Sequence, residues 1–173
     1  MSTPERLLLA SWLLIATAAQ AAGPGLGKPL SAADIAALPR SVFPDGRGLA
    51  AGRGTVSDGK VIYDAQCTSC HGIAGRGGSG GHLISDGKLT GADPDPAVNT
   101  YWPYATTLWD FTRRAMPMTA PGSLSVDETY AVTAYLLHLS GLIEADGVLD
   151  EQSLPKVRMP NRDGFDWIDA KRH

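Results

Sequence analysis

Apolar residues along this chain recur at helical spacing in three places, and glycine and proline break the pattern elsewhere. The clearest stretch is Val126 to Ser140. There Val126, Tyr130, Thr133, Ala134 and Leu137 share one face, and Leu136 and Leu139 widen it. Ser125 with Glu128 three residues on forms a capping box, and Asp127 and Glu128 suit the positive end of the helix dipole. Gly141 can close the helix as its C′ residue. A shorter amphipathic pattern starts at Ser57, with Val61, Ile62, Ala65 and Gln66 as its stripe. Gly59 and Tyr63 sit four apart on one face, and a glycine there lets a second helix approach closely. Val126 to Ser140 is the candidate. A third helix, about Thr106 to Ala115, carries Leu108, Trp109 and Phe111, a density of aromatics that points to core. These patterns predict an all-α domain over residues 55–141.

On either side the periodicity stops. Residues 22–54 are punctuated by glycine and proline too often for a long regular element, which makes them an extended arm. Only Ser31 to Leu38 has room for a turn or two, with Ser31 as N-cap and Asp34 at N3. The arm is either a flexible leader or a segment that lies on a partner. Val42, Phe43 and Leu49 are apolar anchors that only the second needs. Residues 142–173 form an irregular tail, with Glu144, Asp146, Asp150 and Glu151 followed by Lys156, Arg158 and Arg162. A purely solvated tail has no use for Leu142, Ile143, Val148, Leu149, Leu154, Val157, Phe165 and Trp167, so it is expected to rest on the domain or a partner.

Residues 1–21 read as a secretory signal peptide. Arg6 supplies the positive start, Leu7 to Ala18 a short apolar run, and Ala19-Gln20-Ala21 a cleavage site. That run is short for a membrane span, which needs about 20 residues. Export to the periplasm, with no membrane span after cleavage, is the expectation. Removing the signal takes away Glu5 and Arg6 together and leaves the formal charge at −3. No basic run or aromatic-interleaved basic stripe suggests nucleic-acid binding.

The candidate chemistry is concentrated in Cys67-Thr68-Ser69-Cys70-His71. Two thiols three positions apart with histidine next is the spacing that attaches a c-type haem. Two thioethers fix the ring against a tight turn, and that turn offers the His71 imidazole to one face of the iron. A zinc site wants more cysteines and histidines at similar spacing, and a redox CxxC wants a βαβ pattern around it. The chain has only two cysteines, so one covalent haem c uses both and leaves none for a disulfide. Gly75, Gly77 and Gly80 satisfy G-x-G-x-x-G, but no strand precedes them, so a loop along the haem edge is the better reading. Leu83 to Thr100 holds turn residues with little periodicity.

A second ligand to iron is expected at Ala115-Met116-Pro117-Met118. A thioether is soft and neutral and favours reduced iron. Most methionines simply fill core gaps. These two instead end the aromatic helix and precede a Pro-Gly loop, which favours Met116, with Met118 as the fallback. His82, His138, Met159 and His173 are poorer rivals by position. Tyr101 and Trp102 are expected beside the haem, where a buried phenol or indole tip finds a propionate as its partner.

Cys67 to His71, Met116-Pro117 and the two crossing helices resemble a class I cytochrome c over roughly Thr55 to Gly141. Tyr101-Trp102-Pro103-Tyr104, Trp109-Asp110, Arg113 to Pro117 and Ala134-Tyr135-Leu136-Leu137 resemble more narrowly the haem subunit of sulfane dehydrogenase. They equally resemble the small cytochromes that accompany sulfite-oxidase-type molybdenum proteins. The arm from Gly25 to Gly54 and the tail from Met159 to Gly164 are similar to that group as well. The resemblance implies Met116 as ligand and a partner that carries molybdopterin. Two departures stand out. Class I cytochromes often place a proline after the haem loop whose carbonyl receives the ring N–H of the ligand histidine, and here His82 occupies that place. A single CxxCH excludes a two-haem form.

With iron bound on both faces no position is left for a substrate. The expected role is one-electron transfer without catalysis, as the electron-accepting subunit of a sulfite or sulfur-compound dehydrogenase. The alternatives are a free shuttle to a terminal oxidase, and a haem enzyme or gas sensor with a labile sixth ligand.

Overall fold

The computed structural model describes residues 27–37 and 41–166, in two units that divide after Pro39. The expected signal peptide, Trp167 and His173 lie outside the described residues. In the first unit Ser31 caps helix α1 (Ala32–Ala37). The Asp34 backbone N–H donates to the Ser31 hydroxyl oxygen at 3.1 Å, and the Ser31 backbone N–H donates to the Asp34 carboxylate at 3.0 Å.

In the second unit, strand β1 (Arg53–Thr55) leads directly into helix α2 (Val56–Gln66). Thr55 makes the junction, since its hydroxyl oxygen accepts from the Asp58 backbone N–H at 3.1 Å. The haem motif follows as α3 (Thr68–His71) and then a single 3-10 turn, Ile73–Gly75. After a long loop come α4 (Val98–Tyr101), α5 (Ala105–Ala115) and α6 (Val126–Leu139). The chain then returns through β2 (Val148–Asp150) and a 3-10 turn at Leu154–Lys156. β1 and β2 pair antiparallel, with Arg53 opposite Asp150 and Thr55 opposite Val148. The domain is all-helical apart from this ribbon.

Helix α6 ends as its residues dictate. The Ser125–Glu128 capping box is closed in both directions, at 2.7 and 3.2 Å. At the far end Gly141 has φ +71°, and the Leu142 and Gly141 N–H groups return to the Leu137 and His138 carbonyls. Thr129 to Leu137 are all buried, so this helix is the axis of the core.

Glycine brings the other elements onto it. A Cβ on Gly59 would lie 1.8 Å from the Ala131 carbonyl oxygen, and one on Gly54 would lie 2.1 Å from the Ala131 nitrogen. Helix α2 and strand β1 therefore press on the backbone of the same α6 residue. The face of α2 that does so carries Val56, Gly59 and Tyr63. The Val61–Gln66 stripe expected from the pattern is not the buried one, and Val61 is 70 % exposed. Backbone contact at Gly59 sets the rotation of α2 and turns Val61 outward.

Both extensions are partly core. Leu149, Leu154 and Met159 from the tail are fully buried, and Val42, Leu49 and Ala50 from the arm pack against the same cluster. Each large side chain buried this way stabilises the fold by about 1.5–3 kcal/mol. From residue 41 onward the arm thus rests on its own domain, while Phe43, Val148 and Phe165 remain exposed. Phe111 is also 46 % exposed, against the expectation of a buried aromatic cluster, whereas Leu108 and Trp109 are core.

Candidate haem site

Helix α3 is one turn long, and its exit is made possible by glycine. Gly72 has φ +72°, and a Cβ there would lie 2.2 Å from the Arg76 carbonyl oxygen. Gly78, at φ +77°, lies so close to the Cys70 carbonyl that a Cβ would reach it at 2.2 Å. Gly80 donates its N–H to that carbonyl at 2.7 Å, and a Cβ on it would come to 3.0 Å from His71 Cε1. The glycine loop therefore wraps the CxxCH turn and lies along the edge of the His71 ring.

From beneath, Tyr63 donates its hydroxyl to the Gly72 carbonyl at 3.0 Å. Burial, and then Cys67 nearby, push that phenol up to about 12, so it stays a donor at any ordinary pH. Burial, aided by Cys70, pushes the Cys67 thiol up to about 11. A redox CxxC works through a thiol of lowered pKa, and Cys67 is the opposite.

His71 Nδ1 lies 2.9 Å from the Gly81 carbonyl oxygen. A carbonyl only accepts, so Nδ1 carries the proton and Nε2 keeps its lone pair for a metal. The orienting carbonyl is that of Gly81, so Gly81 and not His82 stands in the place expected of the proline. His82 itself holds Asp95 through Nε2 at 2.8 Å. The Ser85 hydroxyl bond, and then His82, keep the Asp95 carboxyl below its ordinary range.

A cavity of about 520 Å³ opens beside the motif, within the roughly 300–1,000 Å³ typical of ligand sites. Cys67, Cys70 and His71 form one part of its lining. Leu83, Leu108, Val132 and Leu136 contribute apolar wall, and Trp102 meets Phe111 edge-on at 5.5 Å between ring centres. Met116, the residue that caps the C-terminus of α5, lies in the lining too, half-buried, beside Met118, which is 75 % exposed. Beyond them, Arg113 donates to the Gly122 and Leu124 carbonyls at 3.1 and 2.7 Å and holds the following loop.

The structure thus brings together Cys67, Cys70, His71, Met116, Tyr101 and Trp102 around one cavity. Trp109 stands outside it, against Tyr130 at 5.3 Å. Among the rivals His82 lines the cavity but is engaged with Asp95, while His138 Nδ1 faces the Ile143 carbonyl at 3.1 Å. Met159 is core at 1 % exposure. Sequence reasoning gave Gly81 and the tail no part in this site and took Phe111 as core. The tail reaches the site through Asn161, whose Nδ2 donates to the Tyr101 carbonyl at 2.7 Å, and through Phe165, edge-on to Tyr101 at 5.4 Å.

An apolar cavity with two thiols, a tautomer-fixed imidazole and a thioether on its walls fits a covalently attached iron porphyrin. Residues 56–140 match the cytochrome c family model. The chain belongs to the cytochrome c family, whose members bind haem c and transfer electrons. Among solved structures it is similar to a chain of the sulfane dehydrogenase SoxCD from Paracoccus pantotrophus. The two share 39 % identity over 87 % of this chain and 75 % of that chain, with a TM-score of 0.77. Comparison with curated protein sequences found no match.

Proposed function

We propose that this chain is an exported, single-haem electron acceptor for a sulfite or sulfur-compound dehydrogenase, with His71 and Met116 as the axial ligands. The observation that carries the ligand assignment is one cavity lined by the Cys67–His71 turn and by Met116, with His71 Nε2 left free by the Gly81 bond. Haem c, which Cys67 and Cys70 would hold, would supply a one-electron couple. His71 Nε2 and the Met116 thioether would bind its iron, and a soft thioether favours the reduced state. Leu83, Leu108, Val132 and Leu136 give the site apolar wall, and Tyr101 and Trp102, in the same lining, would donate to the propionates.

The likeness to sulfane dehydrogenase supports a molybdenum-containing redox partner, and the signal-like residues 1–21 support the periplasm. Among the described residues no helix is long and apolar enough to cross a membrane. A free shuttle to a terminal oxidase is the second reading. It is favoured by the burial of Val42, Leu49, Leu154 and Met159 in the chain's own core, which leaves fewer anchors for a permanent partner.

Copurification with a molybdenum protein, and reduction by it in the presence of its sulfur substrate, is the expected result. A monomer that accepts no electrons from such an enzyme overturns the subunit reading. Rapid binding of carbon monoxide to the reduced protein at neutral pH overturns Met116 as a ligand.

A further inference from the structure

The carbonyl that orients His71 belongs to Gly81, whose own N–H donates to the Gly78 carbonyl at 3.3 Å. Gly81 has φ +78°, and a Cβ on it would meet no atom within 4 Å. It closes a run in which Gly75, Gly77 and Gly78 also adopt positive φ; Gly78 is pinned against the Cys70 carbonyl, whereas a Cβ on Gly77, like one on Gly81, would meet nothing. The Gly81 carbonyl nonetheless meets His71 Nδ1 at 2.9 Å, so its placement has to come from its neighbours.

The next residue supplies it. His82 Nε2 is held by Asp95 Oδ1 at 2.8 Å, and the other oxygen of Asp95 accepts from the Ser85 hydroxyl at 2.5 Å. Gly87 closes the cage, because its N–H donates to the Ser85 hydroxyl oxygen at 2.7 Å and a Cβ on it would lie 2.4 Å from Asp95 Cβ. Ser85 is in turn gripped by the amide of Asn99 on α4. Asn99 Oδ1 accepts from the Ser85 N–H at 3.0 Å, and its Nδ2 donates to the Ser85 carbonyl at 2.9 Å, both buried. A continuous path of hydrogen bonds thus runs from α4 through Asp95 to the residue beside the orienting carbonyl.

We propose that His82 and Asp95 are positioning residues for the axial imidazole, bracing the Gly81 carbonyl from the adjoining residue. The inference rests on His71 as an iron ligand. An exposed contact of this kind adds little to stability. Its effect is therefore read in the electronic state of the ligand. A firm Nδ1–H···O=C bond raises imidazole basicity and favours oxidised iron, and a loosened one favours reduced iron.

The test uses the full exported chain with its haem and compares His82→Ala, Asp95→Ala and His82→Gln. Arg76→Ala is the control, since it removes an exposed ion pair to Asp86 on the same loop, at 3.0 Å, without touching Gly81 or His82. His82→Ala and Asp95→Ala are expected to speed solvent exchange of the His71 ring N–H about tenfold, read by proton resonance. The reduction equilibrium should move toward the ferrous form by roughly threefold. Glutamine can still donate to Asp95, so His82→Gln restores both, and Arg76→Ala moves neither. If His82→Ala and Asp95→Ala match Arg76→Ala in exchange and in potential, the proposal is overturned. Loss of the low-spin spectrum in His82→Ala makes His82 a ligand, and a wild-type protein with no haem-shifted His71 resonance removes His71 as one. Either result overturns the axial assignment together with the brace.

Discussion

His71 and Met116 line one cavity, yet their supports differ in kind. The histidine wall is a short turn clamped by backbone: Gly72, Gly78 and Gly80 lie against neighbouring peptide or ring atoms, Tyr63 holds the Gly72 carbonyl, and the Gly81 carbonyl accepts from the ring N–H. The methionine wall is the C-terminal end of α5, half-buried, with one arginine gathering the loop beyond it. On the proposed reading, the histidine side would hold the cofactor and the methionine side would set its potential.

The largest effects are expected on the histidine wall. Gly72→Ala puts a side chain at φ +72° and against the Arg76 carbonyl, and should cost about 2–5 kcal/mol. Thermal unfolding and the yield of haem-bearing protein measure it. A Met116→Ala variant keeps its covalent haem but loses the methionine–iron charge-transfer band and falls in potential, with about 1–3 kcal/mol of stability removed. A protein that keeps the band relocates the ligand. Removing Arg113 as Ala frees two carbonyls and should cost about 1–2 kcal/mol, with a smaller drop in potential than Met116→Ala.

Tyr63 gives the pH test. Its phenol is raised to about 12 in the fold, against about 10 in an unfolded chain, so the folded state resists losing that proton. Its contribution is complete below about pH 10 and disappears as pH climbs toward 12. Tyr63→Phe should lose about 1 kcal/mol at neutral pH and show a shallower alkaline decline in denaturant titrations. Smallest of all is Met118→Ala. At 75 % exposure this side chain should leave both the spectrum and the midpoint unchanged, and a lost charge-transfer band would transfer the ligand role to it.

Most of what could be read in advance was local. The CxxCH spacing, the Ser125–Glu128 box and the Gly141 stop each depend on residues within a few positions of one another, and only the approach at Gly59 reached across the chain to helix α6. Other features that join distant segments were not legible. β1 meets β2 across about a hundred residues, and the Asn161 bond to Tyr101 spans sixty. The stripe through Val61 misled because packing at a glycine is decided by backbone, which a hydrophobic count does not weigh. The partner of His71 was hidden for a related reason: a carbonyl belongs to every residue and leaves no trace in side-chain identity.

Leu149, Leu154 and Met159 complete the interior from beyond the stretch that matches the family model, which ends at residue 140. A minimal version trimmed to that stretch would uncover greasy surface and strip Gly54 of its strand neighbour. Anyone shortening or fusing this cytochrome should therefore cut after the last buried methionine, with residues 41–50 kept in front.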